Sequence, residues 1–94
     1  MANEQYTLKK TCFNNTEENK LVELYSLSKE SIKEVNKRTF HEVTILMSAI
    51  REESPARSSL MEEKEVTVSQ EIAFSLCSDI EESLFINKVE LLIN

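Results

Sequence analysis

The chain has 94 residues and a formal net charge of −6, with no glycine, one proline (Pro55), one histidine (His41) and two cysteines (Cys12 and Cys77). That length holds a single small domain, residues 1–94. Without glycine there is no P-loop, Rossmann fingerprint or nucleophile elbow, and two isolated cysteines with one histidine indicate neither a disulfide framework nor a structural zinc site.

The charge is unevenly placed. Residues 1–50 carry seven acids and seven bases, whereas residues 51–94 carry ten acids and four bases. An acidic balance opposes phosphate binding, so no nucleic-acid partner is expected. Residues 1–5 lack the basic start of a secretory signal. The longest mostly apolar run, Val43–Ile50, is far below the roughly 20 residues that span a bilayer. A cytoplasmic chain with no membrane partner is the expectation.

Residues 1–14 have no helical periodicity and are expected as an extended arm, with Tyr6–Phe13 rich in strand formers. Asn15, followed three residues later by Glu18, has the form of a capping box opening a helix. From there Leu21, Tyr25, Ile32, Val35, Val43, Leu46 and Ile50 recur at helical spacing, which predicts one helix over 16–51. Residues 52–58, with Pro55, are the predicted turn. A second helix is predicted over 59–93 from the stripe Leu60, Val68, Ile72, Leu76, Ile80 and Leu84. A break near 66–70 or near 86 stays open. Glu65–Val68 also fits a strand, Thr67 with Gln70 forms another capping-box pattern, and Val89, Leu91 and Ile93 alternate.

The predicted fold class is therefore all-α: an antiparallel helical hairpin with an N-terminal arm. Its surplus apolar surface is buried by dimerisation into a four-helix bundle. The basic row Lys29, Lys33 and Lys37 would lie near Glu62, Glu63 or Glu71 of the second copy. The alternative is a small α+β domain whose terminal segments, near 6–13 and 86–93, pair as strands.

Catalytic candidates are few. His41-Glu42 lacks the second histidine of a zincin, since Ile45 occupies that position. Asp79, Glu81 and Glu82 read as a solvated helix face. No enzyme activity, metal or cofactor is expected. The predicted function is a small protein–protein interaction module, an adaptor, chaperone-like subunit or inhibitor acting through apolar helix faces. Leu84, Phe85, Ile86, Leu91, Leu92 and Ile93 are its candidate partner-binding residues, because clustered exposed apolar side chains mark association sites. The alternative is an acidic mimic that blocks a nucleic-acid-binding or basic protein surface.

Overall fold

The computed structural model describes residues 3–54, 61–78 and 81–93. In place of the expected helical hairpin it contains a sheet. Strands β1 (Asn3–Asn15), β2 (Lys20–Val35), β3 (Arg38–Glu53) and β4 (Glu62–Val68) form one antiparallel sheet in the order β3-β2-β1-β4. Two short helices, α1 (Gln70–Cys77) and α2 (Glu82–Ile93), pack on one face of it. The helix expected over 16–51 is thus a turn and two strands, and the arm expected over 1–14 is the sheet's third strand. The helix expected over 59–93 is a strand and two separate helices. Residues 86–93 are helical, so the alternative of a terminal strand there is also overturned. Pro55, Leu60, Asp79 and Ile80 lie outside the described residues.

Turn chemistry explains much of the difference. The β2–β3 connection is the two-residue loop Asn36-Lys37, with φ of 51° and 65°. Two successive left-handed residues are the signature of a type I′ hairpin turn, usually built with glycine. Here asparagine and lysine take those angles. At the β1–β2 turn the Asn15 side chain accepts a bond from the Glu18 backbone N–H at 3.4 Å, the contact that the capping pattern implied. The chain then reverses at Asn19, which has φ of 51°, instead of continuing as a helix. Asparagine reaches this left-handed region at lower steric cost than most residues.

Strand periodicity was hidden by polar residues on the inner face. Along β2 the alternating positions Glu23, Tyr25, Leu27 and Ser31 are buried, and two of the four are polar. In β3 a bulge disturbs the count. Leu27 pairs with Met47 and Ser28 with Ile45, leaving Leu46 as the extra residue. Val43 and Ile50 are seven residues apart, which resembles two helical turns. They share a face of the strand only because of the bulge.

The core lies between the inner face and the helices. Tyr6 and Leu8 of β1, Tyr25 and Leu27 of β2, and Ala49 of β3 meet Ala73, Leu76, Phe85, Ile86 and Val89 of the helices. The Tyr6 and Phe74 rings meet edge to face, 6.0 Å apart. Ser69 caps α1 by accepting from the Ile72 N–H at 3.3 Å, so the helix begins there and not at the Thr67–Gln70 pattern. A 16-residue strand extends about 53 Å at 3.3 Å per residue. The molecule's longest dimension, 52 Å, is accordingly set by the β2–β3 hairpin.

Candidate functional site

One polar cluster sits under α2. It draws Lys10 from β1, Glu23 and Tyr25 from β2, Arg51 from β3 and Glu90 from α2. The sheet register places Lys10 beside Tyr25 and Arg51 beside Glu23 on the inner face. Arg51 grips Glu23 with two bonds, Nε to Oε1 at 3.3 Å and Nη2 to Oε2 at 2.9 Å. The same Nη2 donates to the Tyr25 hydroxyl at 2.9 Å and to Glu90 at 3.2 Å. Lys10 Nζ lies 2.6 Å from Glu90 and 3.3 Å from Glu23. The Tyr25 hydroxyl is 2.6 Å from Glu23 and also touches Glu90. It has one proton for two carboxylates, so the two cations supply the remaining donors.

The electrostatics follow from this geometry. Burial alone would raise the Glu23 carboxyl, but its bonds to Arg51, Tyr25 and Lys10 outweigh that and hold it below its ordinary value. Burial would lower the Lys10 ammonium, but the Glu90 and Glu23 bonds raise it instead. The Tyr25 phenol is pushed far up, first by burial and then by the two carboxylates. Burial also raises the nearby Cys12 thiol, which leaves it a poor nucleophile at neutral pH. Two cations balance two carboxylates, and every member is bonded. Lys10, Glu23, Arg51 and Glu90 line neither of the two surface grooves described next, and Tyr25 borders the second of them. The cluster therefore acts as a tie between four elements.

The sequence-predicted binding residues are divided by the fold. Phe85 and Ile86 are buried in the core, and Ile93 packs against it. Leu84, Leu91 and Leu92 remain exposed on α2, Leu91 at 80%. Leu91 and Leu92 join Ile72 and Leu76 in a groove of about 350 Å³ between the helices, flanked by Glu71 and Lys88. The expected basic row is also dispersed. Lys29 meets Glu4 at 3.4 Å, Lys33 meets Glu42 at 3.8 Å, and Lys37 is a turn residue. His41 pairs with Glu30 at 2.8 Å on an exposed part of the hairpin.

The sheet's other face carries no covering layer among the described residues. A shallow depression of about 410 Å³ crosses it, lined by Lys9, Thr11, Leu24, Ser26, Ile45, Ser48 and Ile50. Val43, Ile45 and Ile50 are 61%, 59% and 58% exposed; Leu24 lies opposite Ile50, whereas Ile45 faces Ser28 and Val43 faces Glu30. These side chains form an exposed apolar row along β3, joined by Leu24 of β2 at one end, crossed by Ser26, Ser28 and Ser48 and bordered by Glu30 at the other.

Neither the row nor the polar cluster was singled out from the sequence. The row needs the bulge at Leu46, and the cluster needs the strand register. The available signal was Glu23 placed two residues before Tyr25, a polar pair inside an apolar stretch. Among the described residues there is no group of histidine, cysteine and acidic side chains placed to hold a metal, and no helix long and apolar enough to cross a membrane. Comparison with protein-family models, characterised proteins and solved structures finds no match, so geometry alone carries the functional reading.

Proposed function

We propose that this chain is a protein-interaction module, an adaptor, chaperone-like subunit or inhibitor, that docks a protein partner on the open face of its sheet. The observation that carries this reading is the bare row of Leu24, Val43, Ile45 and Ile50. Antiparallel sheets commonly keep one face on the core and one in water, but the wet face is then polar. This one bares three large apolar side chains along β3 and a fourth beside them on β2, and clustered exposed apolar surface marks association sites. Its occupant is an apolar protein surface, and the chain itself performs no catalysis.

The rival reading, an acidic mimic, draws on Glu62, Glu63 and Glu65 along β4, although Glu63 already pairs with Lys9 at 2.8 Å. Photo-crosslinking from single positions separates the two. A reactive side chain at Ile45 should capture the partner in a lysate, and one at Leu91 should not. Leu24→Lys with Ile45→Lys should abolish capture while leaving the thermal melt in place. Capture should survive a rise from about 0.1 to about 0.5 M salt, because apolar contacts are little screened. Capture only from Leu91 would move the site to the helices, and loss in salt would favour the acidic mimic.

A further inference from the structure

We propose that β3 is a dimerisation edge: two copies of this chain pair their β3 strands antiparallel about a twofold axis near Leu46 and Met47. This goes beyond the preceding reading, because it uses the backbone edge of the sheet and not its open face. The two edges of the sheet are built differently. β4 is short, with seven residues, four of them charged (Glu62, Glu63, Lys64 and Glu65), a pattern that discourages further pairing. β3 has sixteen residues, and its stretch from Val43 to Ile50 contains no charge, proline or glycine. Such an edge is a template for another strand.

The backbone supports this. The Ile50 N–H points away from β2, since it bonds Glu82 Oε1 at 3.1 Å. By the alternation of an antiparallel ladder, Ser48 and, beyond the bulge, Ile45, Val43 and His41 also direct their backbone groups outward. A twofold pairing must set open face against open face, which restricts the register to steps of two residues. One register opposes Val43 to Ile50, His41 to Glu52 and Glu42 to Arg51 of the second copy. It matches apolar to apolar and adds an acid of the second copy beside His41 and Arg51, which within the chain already meet Glu30 and Glu23. A slip one way sets Glu42 against Glu53 and Val43 against Glu52. A slip the other way sets His41 against Ile50. Charge complementarity selects the first. Each chain uses this edge once, so the assembly closes as a dimer. Pairing exchanges the exposed Glu82–Ile50 bond for a bond to the Val43 carbonyl of the second copy, which makes Glu82 a competitor of association.

Sedimentation equilibrium on the whole chain tests this. At roughly 100 µM, enough to populate a dimer of micromolar Kd, the wild type should be dimeric. Val43→Lys should weaken association at least tenfold, about 1.4 kcal/mol. Val43→Pro should do the same without disturbing the sheet, because the amide it removes faces outward. Glu82→Ala should tighten the dimer. In a Cys12→Ser, Cys77→Ser background, Val43→Cys and Ile50→Cys chains should form a disulfide with each other when mixed. A wild-type monomer at this concentration would overturn the proposal, as would a dimer indifferent to Val43→Lys. A dimer without the mixed disulfide would overturn the register. If Val43→Pro does not fold, the mixed disulfide decides, because the Val43 side chain also lies on the open face. None of these failures would affect partner capture from Ile45, so the two readings stand or fall separately.

Discussion

Replacing Tyr25 with phenylalanine removes one oxygen from the centre of the polar cluster and leaves the ring in its packed position. The hydroxyl lies between Glu23 and Glu90 and accepts from Arg51, so its loss removes the one proton the two carboxylates share and an acceptor of the guanidinium. A hydrogen bond to a charged group contributes about 1.5–3 kcal/mol. Glu23 keeps two bonds from Arg51 and one contact with Lys10, and Glu90 keeps both cations, which limits the loss to about 2 kcal/mol. For a domain of this size that lowers Tm by about 8–16 °C. The assay is a pair of urea and thermal melts at pH 7, repeated down a pH series. Glu23 is held below its ordinary value when folded, so its contribution is fully present above the unfolded carboxyl value and lost as pH falls through the folded one. The difference between wild type and Tyr25→Phe should therefore narrow in acid. On the alkaline side Lys10 and Tyr25 are both raised, so their contribution is lost as pH climbs above about 10. A neutral or stabilising Tyr25→Phe at pH 7, or a difference independent of pH, would refute the cluster as a tie.

Phe85 is fully buried between the helices and the sheet, and Phe85→Ala should cost about 3–5 kcal/mol, read as a large drop in the urea midpoint. Lys37 holds a left-handed angle that glycine reaches without strain. Lys37→Gly should therefore raise Tm by about 4 °C, and a fall would contradict the turn assignment. Cys77 is exposed, whereas Cys12 is half-buried with its thiol raised by burial. Iodoacetamide at pH 8 followed by mass spectrometry should label Cys77 at least tenfold faster.

Several features were legible in the residues themselves. Tyr6–Phe13 was rich in strand formers, and Glu65–Val68 fitted a strand; both segments lie in strands. Asn15 and Glu18 do make the local contact that their spacing implied. The hairpin turns carry no glycine to mark them, since Asn19, Asn36 and Lys37 take the left-handed angles that glycine ordinarily would. Burial of Glu23 and Ser31 erased the two-residue alternation of β2, and the extra residue in β3 produced a spacing close to helical. The apolar cluster at 84–93 was visible, but which of its members face inward depends on where the helix lies. Phe85 and Ile86 are covered only because the sheet is beneath them.

The tie between Lys10 and Glu90 spans eighty positions in sequence, and this has a consequence for how the molecule is made. Every strand leaves the ribosome before α2 does. Until residues 82–93 arrive, Leu8, Tyr25 and Leu27 lack the cover of Phe85, Ile86 and Val89, and Lys10 and Arg51 lack their second carboxylate. Contacts of such long range must wait for the closure of almost the whole chain, which slows folding. The nascent sheet is then greasy on both sides at once, an aggregation-prone interval that ends only when the last helix docks.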